Sequence, residues 1–218
     1  IFYVLFILVR THSIRYVALL GERNSGTNYI ENLISSTFAK KHPFMKSLSN
    51  TPVGNKHLFR SNILTDNELD LIQYSYTDVL WILAVRNPCD WADGMYRKPW
   101  HLCATHQKDC MGHYMGINRE AVQYKSRREF FSMRWVDFMD KSGGFENVFE
   151  LRAFKLQIMQ QIMRAIPERV YIARLHEIER DPSGFLDTLE RLFDIKRKRT
   201  ARVKKGVIHN KVCLKNEE

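Results

Sequence analysis

"LLGERNSGTNYIENLI", Leu19 to Ile34, is the stretch whose reading decides the fold. An apolar run ends at Gly21, small and polar residues lead to Gly26, and behind them Ile30, Leu33, Ile34 and Phe38 recur at helical spacing. A strand, a glycine-bounded loop and a helix in that order make an anion cradle, because loop amides and the helix N-terminus present N–H groups to negative charge. Gly21 and Gly26 keep the spacing of the nucleotide loop GxxxxGK[ST]. Thr27, however, stands where the lysine belongs, and Asn28 where the Mg²⁺-binding hydroxyl belongs. A metal–triphosphate complex would lose both its point charge and its metal ligand there, which speaks against a P-loop kinase. What survives is a nest of the Ser25, Gly26 and Thr27 amides with Arg23 beside it. Taken alone, the stretch also fits a plain strand–helix turn.

Outward from the loop, apolar runs and helical periodicity alternate. "RYVALLGE" and "NKHLFR" read as short strands, and "DVLWILAVRNP" as a strand covered on both faces that Pro88 stops. "RVYIARL" reads as another buried strand. "TDNELDLIQYSY" opens with Thr65 and Glu68 in capping-box spacing. "NREAVQYKSRREFFSMRWVDFMDK" reads as a helix ended by Gly143 and Gly144. "NVFELRAFKLQIMQQIMRAI" is a long amphipathic helix stopped by Pro167, and "DPSGFLDTLERLFDI" a last helix with Pro182 in its first turn. Cys89 to Met115 lacks clear periodicity and reads as mixed helix and loop. The alternation predicts an α/β fold, a P-loop-type parallel β-sheet flanked by helices, over residues 15–195. At 218 residues the chain suits one such domain, and 44% hydrophobic residues exclude a disordered chain.

The charge balance narrows the partners. Against 24 Asp and Glu stand 34 Lys and Arg, a net +10 that favours anionic ligands: nucleotides, sulfated or phosphorylated polymers, nucleic acid or acidic membrane. Residues 196–218 form a basic tail in which "KRKRTARVKK" carries seven cations; it reads as a solvated tail or as a rim for a polyanion such as a glycan. No nucleic-acid module is recognised. Residues 1–14 begin with the apolar run "IFYVLFILV", shorter than the roughly 20 residues of a membrane span. That run reads either as the end of a signal anchor, which would place the protein at a Golgi or other secretory-pathway membrane, or as a buried strand of a cytoplasmic protein. Cys103 and Cys110 are close enough to close a small loop in an oxidising compartment, or are ordinary thiols. His101, Cys103, His106 and Cys110 are zinc-ligand types, but their spacing matches no common zinc pattern, and no metal is expected.

A second constellation, "LAVRNPCDWADGMYRKPWH", puts Arg86 at the carboxyl end of the strongest strand, where ligands of open α/β sheets gather. Its planar fork suits a phosphate. Paired with "GERNSGTNYIENL", the segment "VRNPCDW" resembles the sulfotransferases that use 3′-phosphoadenosine 5′-phosphosulfate (PAPS). The resemblance runs from about Tyr16 to Ile195 and implies that the first loop, Arg23 to Asn28, embraces the 5′-phosphosulfate while Arg86 holds the 3′-phosphate. A phosphosulfate carries no metal-bound triphosphate, which accounts for the missing lysine and hydroxyl.

The likeness extends further. "GNKHLF" resembles the family strand that supplies a catalytic histidine, here His57, and "KKGVIH" resembles its basic loop at the 3′-phosphate, here Lys205 and Gly206. The implied activity is transfer of a sulfuryl group to a hydroxyl or amine, with PAPS as co-substrate and a glycan, peptide, lipid or small alcohol as acceptor. His57 is the candidate base because an ordinary imidazole accepts a proton near neutrality; Glu177 and Asp93 are alternatives. Arg23 is the candidate stabiliser of the leaving phosphate. The chain departs from the family where a cation is common and Asn24 stands, where a phosphate-binding serine is common and Gly94 stands, and in Arg174-Leu175-His176-Glu177-Ile178. These departures keep open a domain that binds nucleotide or polyanion without catalysing transfer.

Overall fold

A computed structural model describes residues 13–38, 48, 51–58, 60, 62–97, 102–104, 126–137, 144–195 and 197. Strand β1 (Tyr16–Gly21) runs into the glycine loop and helix α1 (Thr27–Phe38). Helix α2 (Asp66–Ser75) leads to β2 (Val79–Val85), then α3 (Pro88–Arg97). A three-residue strand β3 (Leu102–Ala104), a short helix α4 (Arg127–Ser132) and strands β4 (Trp135–Asp137) and β5 (Gly144–Phe145) follow. The long helix α5 (Val148–Ala165), a 3₁₀ turn (Pro167–Arg169), strand β6 (Val170–Arg174) and helices α6 (Leu175–Arg180) and α7 (Pro182–Phe193) complete the described chain.

The architecture is mixed α/β. A parallel sheet has the order β1-β2-β6, with Gly21 beside Ala84 and Val85 beside Arg174. Period-two alternation sends the strand side chains to two layers. Val17, Leu19, Leu80 and Ile82 pack with Ile30, Leu33, Ile34 and Phe38 of α1 and with Phe185, Leu186 and Leu189 of α7. Ala18, Leu20, Trp81 and Leu83 pack instead with Ile72 of α2 and Ile158, Met159 and Ile162 of α5. Both faces are therefore covered, and the continuous apolar run of β2 follows from its central place. A second, antiparallel sheet orders β3-β4-β5 beside a third cluster of Trp91, Met95, Phe130, Trp135, Val148 and Leu151.

Local signals explain the helix starts. Thr65 Oγ1 accepts from the Glu68 amide while the Glu68 carboxylate accepts from the Thr65 amide at 2.9 Å, a complete capping box. Asn147 caps α5 through the Phe149 and Glu150 amides, and Asp181 caps α7, with Pro182 at its first position.

Four expectations change. "NKHLFR" forms no strand over its described part: Asn55 Oδ1 accepts from the His57 amide at 2.9 Å and the Asn55 carbonyl from Leu58 at 3.0 Å, closing a turn with Leu58 at φ +53°. Over its described part, residues 126–137, the long helix expected up to Gly143 is helical only in α4, which a Ser126 cap starts. Met133 is already extended, and β4 pairs with both neighbours while Trp135 is buried with its indole donating to Phe130 O at 3.2 Å. β6 is an edge strand among the described residues, not a buried one, with Ile172 41% exposed. β2 ends at Val85, before Pro88, which is instead the first residue of α3. The first 12 residues and almost all of the basic tail, including Lys205 and Gly206, lie outside the described residues. Among the described residues no helix is long and apolar enough to cross a membrane.

Candidate functional site

The loop after β1 carries two left-handed residues, Asn24 at φ +56° and Gly26 at φ +82°, on either side of Ser25. Alternation of this kind turns successive amides toward one side, the backbone nest that binds anions. Ser25 fastens the loop through its amide and hydroxyl, both donating to Glu22 O, at 3.2 and 2.5 Å. The Gly26 carbonyl accepts the first bond of α1 from Ile30 at 3.0 Å, so the amides of the first turn stand at the loop with no intrahelical acceptor. A β-carbon on Gly26 would collide with the Leu175 side chain. Glycine is thus required here by packing against α6 as well as by its φ.

Arg86, one residue past β2, reaches back across the sheet end and donates from Nη1 to the Asn24 carbonyl at 3.1 Å. The Arg86 guanidinium therefore lies against the glycine loop at Asn24. The side chain of Asn24 turns away and donates from Nδ2 to Met95 Sδ at 3.0 Å. Gly94 leaves space beside this pair: a β-carbon there would lie 3.2 Å from Arg86 Nη1 and 3.3 Å from Asn24 Cβ. Arg23 is 4% exposed, a buried cation in the loop and not a solvated one.

His57 joins the patch from the turn after Asn55. Its Nδ1 lies 3.2 Å from Gly21 O. A carbonyl only accepts, so Nδ1 carries the proton and Nε2 is the basic nitrogen. Burial, followed by the nearby charges of Arg23, Lys56 and Lys155, holds the imidazole down at about 3, against a partial lift from the Gly21 carbonyl. This corrects the expectation of an ordinary histidine titrating near neutrality: His57 is neutral and reluctant to take a proton while no anion offsets those cations.

The sequence reading missed Glu22, Arg152 and Lys155. The Glu22 carboxylate, 1% exposed, accepts from Arg152 Nε and Nη2, both at 2.8 Å. Burial pushes it up to about 7, outweighing the downward pull of Arg152 and Lys155. Lys155 Nζ donates to His57 O at 2.9 Å, and Lys56 Nζ bonds Asn28 Oδ1 at 3.0 Å and Glu31 Oε2 at 2.9 Å. One signal was available: Lys155 falls in the stripe Leu151, Ile158 and Ile162 that α5 buries, where a cation needs a reason.

The alternative bases are occupied. Asp93 is held by Arg97 and Arg127, and Glu177 by Arg174 at 3.2 Å. Among the described residues no group of three His, Cys, Asp or Glu could hold a metal ion, and the side chains of His101, Cys103, His106 and Cys110 lie outside the described part. Cys89, at the start of α3, is disulfide-bonded. Compared with known proteins, the chain matches no family model, no curated protein and no solved structure.

Proposed function

We propose that this chain is a PAPS-dependent sulfotransferase with a P-loop-type nucleotide site. The observation that carries the reading is the meeting of two anion-binding elements: the Asn24–Gly26 nest at the head of α1, and the Arg86 guanidinium bonded to Asn24 O. The two fit the two phosphate-bearing ends of one nucleotide, the 5′-phosphosulfate on the loop and the 3′-phosphate on Arg86. No lysine or hydroxyl for a Mg²⁺-triphosphate is needed for that ligand.

The chain's residues have separable tasks. The Gly26 and Thr27 amides hold the phosphate while the Ser25 amide, bonded to Glu22 O, fastens the loop, and buried Arg23 offsets the charge that grows on the phosphate oxygen as its bond to sulfur breaks. His57 Nε2 takes the proton of the acceptor hydroxyl as the new oxygen–sulfur bond forms. Burial is the main reason that His57 resists a proton, and the cations Arg23, Lys56 and Lys155 add to it; an anion bound near them offsets that smaller, coulombic part and favours proton uptake at Nε2. The disulfide at Cys89 supports a site in the oxidising secretory pathway.

A binding domain without transfer is the second reading. It is favoured by Asn24, whose amide is committed to Met95 Sδ where a cation would face the sulfuryl group. The test is equilibrium binding of 3′,5′-adenosine bisphosphate (PAP) and ATP with and without Mg²⁺, followed by transfer of labelled sulfate from PAPS to glycan, peptide and phenol acceptors. Metal-independent PAP binding with transfer is the expected result. Mg²⁺-dependent ATP binding in preference to PAP would overturn both readings, and PAP binding without transfer would favour the second.

A further inference from the structure

One guanidinium touches both halves of the anion patch. Arg152, 8% exposed on α5, donates from Nε to Glu22 Oε2 and from Nη2 to Glu22 Oε1, each at 2.8 Å, and from the same Nη2 to Arg86 O at 2.7 Å. Its Cζ lies 4.5 Å from the centre of the Trp91 ring on α3, which fixes the plane of the fork. Glu22 opens the loop, and the Glu22 carbonyl is the acceptor on which Ser25 folds it; Arg86 is the opposite anion contact. An ion pair that served stability alone would need no bond to the residue that carries the second phosphate contact.

We propose that Arg152 is a positioning residue that locks the loop and Arg86 into one register, so that a nucleotide with two anionic ends meets both at once; the inference rests on the two-phosphate reading of the site. Arginine is suited to this because its planar fork serves three acceptors in fixed directions, whereas lysine offers one charged centre on a flexible stem. Arg152 touches no ligand in this scheme. It acts through Glu22 and the Arg86 backbone, and the groups facing Glu22 are Arg152 and Lys155 from α5 and the Arg86 backbone just past β2.

The experiment is a double-mutant cycle on PAP affinity, by calorimetry, with Arg152→Lys and Arg86→Ala singly and together. Thermal unfolding first establishes that each variant is folded. Arg152→Lys is expected to weaken PAP about tenfold in the native background but less than about twofold in Arg86→Ala, where there is no second contact left to align. Glu22→Gln, which keeps the shape and loses the charge, is the second variant should Arg152→Lys fail to fold; its smaller loss should likewise shrink in the Arg86→Ala background. Equal losses in both backgrounds, or none in either, overturn the positioning role while leaving the site intact. A folded native protein that does not bind PAP overturns the two-phosphate reading and this inference together.

Discussion

Glu22 and His57 sit on the same loop end and are shifted in opposite senses, which makes the pH dependence of folding a sharp test. Glu22 is raised from 4.5 to about 7, so the native state keeps its proton where the unfolded chain has lost it. Its contribution is present below the unfolded value and is lost as pH rises through the folded one, over the window from 4.5 to about 7. His57 is lowered from 6.5 to about 3, so the native state refuses a proton that the unfolded chain takes. Its contribution is present above 6.5 and is lost as pH falls toward about 3. Between 4.5 and 6.5 the two slopes cancel, one proton against one. Glu22→Gln should therefore uncover a stability that rises with pH relative to the native chain, tenfold in the folding constant per pH unit and about 3 kcal/mol over the whole Glu22 window. His57→Gln should show the opposite sign, a stability that falls with rising pH relative to the native chain between about 4 and 6. The assay is urea unfolding at half-unit pH steps, read as the difference between variant and native chain so that the remaining carboxylates drop out. If the two differences are flat, or share a sign, the burial argument for this loop end is wrong.

Other consequences are equally direct. Arg86→Ala removes a charged contact to phosphate and should weaken PAP at least about tenfold by calorimetry, with little effect on the melting temperature. His57→Gln should leave PAP binding within about threefold while slowing labelled sulfate transfer by about 10²–10⁴-fold; full turnover would remove His57 as the base. Gly26→Ala should destabilise the fold by about 1–3 kcal/mol in chemical unfolding, because the new carbon meets Leu175 at a left-handed φ. Unchanged stability in that variant would contradict the packing of α6 on the loop.

The sequence by itself determined the elements whose signals are local. Strand β1, the glycine loop and α1 are legible because the apolar run, the two glycines and the 3.6-residue stripe follow one another without interruption. Capping chemistry marks α2 at Thr65, and the position of Arg86 after the most apolar run places it at a strand end. Short elements were not legible in the same way: β4 looks helical in isolation and is extended because Trp135 is buried and its backbone pairs with β3 and β5. The turn at Asn55 reads as a strand until the Asn55 side chain closes it. Only the tertiary structure decided the chemistry of the site. The place of Lys155 in the apolar stripe of α5 signals burial, but Arg152 and Lys155 lie far along the chain from Glu22 and His57, and the stripe does not say that they meet those two residues. The ionisation of Glu22 and His57 depends on how much water their neighbours exclude and on which cations surround them. Those are properties of the packed molecule, because desolvation and Coulomb terms act through space and not along the chain.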